Sequence, residues 1–173
     1  VGILAAVLLW SSRSASEILE PYLVMLNSLP KSALAPILIV WLGSSMRTIV
    51  AAAVSVAVFG SILTLHNGFM SMDPDQARLI RSLGGGKREI LFKVLLPGSV
   101  PLIISNMKVN VGLCLVGVII GEFLAARLGL GYLIIYGSQV FKLDLVLMSI
   151  VILCILAALM YQGIALAERR AER

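Results

Sequence analysis

Apolar runs alternate with short polar breaks along this chain, and one polar passage is far longer than the rest. Residues 48–65 and 145–167 carry no charged side chain. Each is close to the roughly 20 apolar residues that a helix needs to cross a bilayer, so both predict transmembrane helices. Residues 99–126 are long enough to cross with a turn or two to spare, although they contain Lys108 and Glu122. Residues 21–43 are apolar but interrupted by Asn27, Ser28, Pro30, Lys31 and Pro36. Irregular backbone at membrane depth survives only where protein or a water-filled cavity covers it, so this segment is expected to face the interior of an assembly. The chain opens on an apolar stub, 1–10, with neither Met nor a charged leader before it. It reads as part of a longer chain rather than a signal peptide, and an upstream span is expected.

Composition supports this pattern. Hydrophobic residues make up 60% and charged residues 13%, with a mean hydropathy of +1.02. Such a chain cannot bury its apolar surface in one soluble core and must use lipid as solvent. The fold class is therefore an all-α polytopic membrane protein, read as a single transmembrane domain over residues 1–173. The net charge of +5 does not point to nucleic acid, because the cations are scattered over loops and span ends without interleaved aromatics. Cys114 and Cys154 lie in apolar runs and read as small buried hydrophobes.

Charge also gives the chain a sidedness. Five of the 14 Lys and Arg residues (Arg78, Arg81, Lys87, Arg88, Lys93) fall in the long polar passage, against Asp73, Asp75 and Glu89, so the positive-inside bias predicts a cytoplasmic 66–98 loop. Two crossings later the tail 168–173 is cytoplasmic too, in keeping with Arg169, Arg170 and Arg173. The 127–143 loop and the 43–47 turn then lie outside, with Arg47 a single mild exception. Trp10, Trp41, Tyr132 and Tyr136 near span ends suit an aromatic belt.

Within the polar loop, Asp73 before Pro74 predicts a capped helix over 75–83. Ala77, Ile80 and Leu83 or Gly84 share one of its faces, with Asp75 in its first turn. Gly84, Gly85 and Gly86 end it, and a second helix over 87–95 offers Ile90, Leu91 and Val94 on one side before Pro97 stops it. A helix pair this short and apolar wants a groove on a partner protein. Gly84–Gly86 before Lys87 is not a phosphate-binding loop, because Arg81 and Arg88 stand where that pattern needs glycine and Ser or Thr.

The loop resembles the EAA loop of permease subunits in bacterial ATP-binding-cassette importers. Gly84, Val94, Leu96 and Pro97 stand at the matching spacing, whereas Arg78, Leu79 and Ile80 replace its Glu-Ala-Ala portion. Met72-Asp73-Pro74, Leu83-Gly84, Leu29-Pro30-Lys31, Ala35-Pro36, Trp41-Leu42-Gly43, Gly121-Glu122-Phe123 and Gly129-Leu130-Gly131-Tyr132 are similar to the nitrate, sulfonate and taurine branch. The resemblance implies a type I importer permease bundle in the inner membrane. It implies cytoplasmic ATPase subunits, an extracytoplasmic solute-binding protein and a second permease, a copy or a close relative, as partners, and no cofactor or metal site is read in the chain. ATPase coupling would fall to Asp75, Ala77, Ile80, Leu83, Gly84, Ile90, Val94, Leu96 and Pro97, within a coupling loop of about 73–97. The segment with Pro30 and Pro36 would line the solute path, with Asn27, Ser28 and Lys31 supplying polarity, and a cationic path would suit an anion such as a sulfonate or nitrate-like ion.

Two ionisable groups in a span are functional candidates by their cost in lipid. Glu122 follows Gly117-x-x-x-Gly121, a step that lets helices approach closely. It reads either as a group of the path or its outer gate, or as an interfacial carboxylate. Lys108 stands about 21 Å away along the axis and either snorkels or lines the cavity. His66 reads as an interfacial side chain. No nucleophile context or catalytic constellation is present, so no enzyme is expected. Against the importer subunit stand an ion-coupled secondary carrier, for which no internal repeat is seen, and a non-transporting scaffold that uses the loop as a docking arm.

Overall fold

A computed structural model describes the backbone of residues 1–171 and the side chains of residues 1–166; Arg169, Arg170 and Arg173, used above to orient the tail, lie outside the described side chains. The described residues are helical, with no strand among them. In chain order the elements are α1 (Gly2–Ser11), α2 (Arg13–Ser28), α3 (Lys31–Leu42), α4 (Met46–Met70), α5 (Pro74–Ser82) and α6 (Lys87–Ile90). A π-helical turn (Leu91–Leu95) leads to α7 (Leu96–Gly98), α8 (Val100–Ala125), α9 (Leu130–Gln139) and α10 (Leu143–Ala171).

The helices α4, α8 and the Leu143–Leu166 stretch of α10 are long and apolar enough to cross a membrane, and α2 with α3, bent by 91° at a short break, is apolar enough for either a broken fourth span or a re-entrant loop. The break falls at Leu29 and Pro30, where Pro30 is extended at φ −66°, ψ 103° and caps α3. Proline disfavours the helical conformation in the residue before it. Pro21 and Pro36 sit inside helices, and α2 begins at Arg13, well before the expected start. Each proline removes one backbone bond without ending the helix, a loss that neighbouring groups in a membrane protein can compensate.

Two further expectations change. Pro97 does not stop the helix, because the chain widens into the π turn just ahead of it, with Leu96 N–H donating to Leu91 O five residues back. A wide turn moves the carbonyl that the proline ring would strike. The 127–143 loop contains a helix, α9, whose unusual ends are described below.

By contacts the chain divides into two compact units, one of residues 1–27 and 59–107 and the other of 28–58 and 108 onward. In the first, Ala6, Leu65, Phe69 and Leu95 are buried, with Trp10, Leu91 and Leu102 packed against them. Two polar pairs fix helix to helix there. Asn106 Nδ2 donates to Ser61 Oγ at 2.7 Å, and Ser16 Oγ shares a 2.7 Å bond with His66 Nε2. His66 is only 2% exposed, so it is a buried, bonded histidine rather than an interfacial one.

In the second unit, α8 approaches the backbone of α4 closely at two glycines. A Cβ at Gly117 would fall 2.5 Å from Ala53 Cα, and one at Gly121 would fall 2.8 Å from Ile49 Cα. The small-residue step therefore does what its spacing predicts. The α9 helix packs on α10, and Thr48 Oγ1 donates to Gly43 O at the turn before α4.

Candidate functional site

The polar loop holds a fixed shape by its own hydrogen bonds. Asp73 Oδ1 accepts the Asp75 N–H at 2.9 Å and caps α5, with proline opening the helix as its preset φ favours. Arg78 pairs with Asp75 three residues back at 2.9 Å. At the other end Gly84 N–H donates to Arg81 O and Gly85 N–H to Ile80 O, at 3.0 and 2.9 Å. This is a Schellman turn, whose reversed residue is Gly84 at φ +82°. Glu89 then reaches back to the Gly86 N–H at 2.8 Å, starting α6. Its own N–H and that of Gly86 hold the Glu89 carboxylate below the usual glutamate range, with Lys93 and Arg88 adding to the effect. Lys87 Nζ donates to Ser11 O at the end of α1, at 3.4 Å.

The apolar side chains divide between the protein's interior and its surface. Ile90 and Leu95 are buried, while Ala77, Ile80, Val94 and Leu96 are half-buried. Exposed on the loop are Leu79 (61%), Leu83 (76%) and Phe92 (66%), along with Asp75, Gly84 and Pro97. Neither Leu79 nor Phe92 is on the apolar faces that the spacing predicts; a sequence shows that a short helix has an apolar face but not which side chains its own chain covers.

The expected path residues are placed as follows. Asn27 is exposed at the end of α2, and its Oδ1 stands 3.3 Å from where a Cβ of Gly60 would be. Ser28, Pro30 and Pro36 are exposed, and Lys31 is half-buried with Nζ donating to Leu29 O at 3.2 Å. Lys108 Nζ lies over the Tyr161 ring, 5.8 Å from its centroid, a cation–π contact. Glu122 is half-buried, and its Oε2 accepts the Gly131 N–H at 2.7 Å.

Comparison with known proteins names the class. The family description "binding-protein-dependent transport system inner membrane component" matches residues 1–173. The chain belongs to this family of ABC importer permeases. It is similar to a probable ABC transporter permease protein of Haemophilus influenzae, 28% identical over 94% of this chain and 66% of that one. It is also similar to the formylaminopyrimidine transport permease of Halalkalibacterium halodurans, 30% identical over 76% of this chain and 53% of that one. The taurine transport system permease of Escherichia coli is 26% identical over 98% of this chain and 62% of that one. The chain spans between about half and two thirds of the length of these relatives.

Proposed function

We propose that residues 1–173 form one permease domain that builds a solute path across the inner membrane and takes its driving force from separate ATPase subunits through the 73–97 loop. The observation that carries this reading is the loop itself, a helix pair capped at Asp73, reversed at Gly84 and leaving Leu79, Leu83 and Phe92 bare to solvent. Apolar side chains presented on a rigid polar element favour a partner's groove. Asp75, Ala77, Ile80, Ile90, Val94, Leu96 and Pro97 would shape and support that contact. On this reading the loop is cytoplasmic and the domain works with a second copy of itself and an extracytoplasmic solute-binding protein. ATP-driven movement of the loop would swing the spans between inward-open and outward-open states.

The path would be lined by Asn27, Ser28, Pro30, Lys31, Pro36 and Lys108, with Glu122 at its outer gate. A path carrying Lys31 and Lys108 suits a small anionic organic solute. Relatives named for taurine and for aliphatic sulfonates support that class, whereas the formylaminopyrimidine relative widens it.

The test uses the full-length transporter co-purified with its ATPase. Leu79→Asp, Leu83→Asp and Phe92→Asp are expected to lower binding-protein-stimulated ATP hydrolysis at least about tenfold, the loss of buried apolar contacts at an interface, at unchanged membrane level. Unaltered hydrolysis in all three would remove the coupling role. Uptake that persists without ATP and collapses with an ion gradient would point to a secondary carrier instead.

A further inference from the structure

The carboxylate of Glu122 is engaged within its own chain. Among the four N–H groups that open any helix, none finds a partner inside that helix. At the start of α9 one of them, that of Gly131, is satisfied by Glu122 at 2.7 Å, from nine residues upstream on α8. The N-cap of α9 is Gly129 at φ +119°, which has no side chain to cap with. A Cβ added at Gly129 would run into the Glu122 carboxylate, and one at Gly131 would fall 3.0 Å from both Glu122 Cβ and Ile119 O. Two glycines clear a space and the glutamate fills it. Capping of α9 has thus passed to a side chain of α8, whose negative charge also suits a helix N-terminus.

Resting on the orientation proposed above, we propose that Glu122 is a positioning residue, a latch that ties the start of α9 to the outer end of α8. It thereby holds the 124–128 wall of a cleft of about 530 Å³ that is also lined by Ser44, Ser45, Met46 and Ile49. Glu122 shapes the outer rim of the path through α9 and does not act by touching the solute.

The test needs no known solute. In intact cells carrying the full-length transporter with its partners, and with Cys114 and Cys154 replaced by serine, two single reporters are labelled with a membrane-impermeant maleimide. They are Leu133→Cys, half-buried on α9, and Gln139→Cys, exposed at its end. Leu133→Cys is expected to label at least about tenfold faster with Glu122→Ala or Gly129→Ala than in the parent, the loss of one charge-assisted hydrogen bond. With Glu122→Gln, whose amide oxygen accepts the same N–H, the rate should stay within about twofold. Parent-like labelling in both the Ala variants would overturn the latch. So would a Gln variant that labels as fast as Glu122→Ala, since the charge would then matter beyond the bond. Gln139→Cys that labels only after permeabilisation would overturn the proposed orientation and leave the latch standing.

Discussion

The polar loop and the 127–143 loop each end a helix by the same hydrogen-bond pattern but with opposite residues at the reversal. In the polar loop, Gly84 takes the left-handed position at φ +82°; in the 127–143 loop, Phe141 takes it at φ +57°. The bonds correspond one for one, with Phe141 N–H donating to Ser138 O and Lys142 N–H to Gly137 O. The starts of the two helices differ in the same way. The α5 helix is capped by Asp73 from two residues away, and α9 by Glu122 from another helix. One element carries its own instructions, and the other takes them from its surroundings.

Exchanging those features should separate the two regions. The largest effect is expected from Gly84→Phe, which puts a bulky residue into the left-handed backbone at a cost of about 1–2 kcal/mol. No neighbour lies within 4 Å of the new Cβ, so thermal unfolding in detergent should shift while membrane level holds. An unshifted transition would mean that the polar loop tolerates a bulky residue at the reversal as the 127–143 loop does. Asp73→Ala removes a local cap worth about 1 kcal/mol. Hydrogen exchange of the 74–82 backbone should rise, and that of α9 should not. Phe141→Gly is expected to stabilise by about 0.5–1 kcal/mol through release of the strained φ. If stability rises and transport falls, the bare Phe141 ring, 91% exposed, has a role outside the fold.

The smallest effect concerns Glu89. Because its folded-state pKa is depressed, the anchor on Gly86 contributes fully above the unfolded glutamate value of about 4.3 and is lost as pH falls through the lower, folded value. Protection of the Gly86 amide, corrected for intrinsic exchange, should therefore hold from neutral pH down to that region and weaken only below it. Loss of protection already between pH 7 and 5 would contradict the assignment.

These differences also explain what could be read in advance. The Asp73-Pro74 start, the Gly84 stop and the Gly117-x-x-x-Gly121 approach are short-range signals, and each appears in the structure as its spacing implies. The long spans of α4 and α10 follow from uncharged runs of about twenty residues, too long for a membrane strand and long enough for a helix. The α9 helix was missed because its start carries glycine without a capping side chain and its end carries phenylalanine without glycine. The burial of His66 depends on Ser16, 50 residues away, and periodicity is blind to such a partner. The continuation through Pro97 depends on a π turn that no residue type announces. Of the site, the loop's shape was legible, while the choice of Leu79 and Phe92 as its bare side chains required knowing which face the protein had already covered.

The contact of Gly117 and Gly121 with Ala53 and Ile49 has a mechanical consequence. Main chain there meets main chain, so there is no layer of rotamers to absorb sliding or rolling. The two helices are spliced there like a scarf joint: at Gly117 and Gly121 one cannot slide or roll on the other without main chain striking main chain.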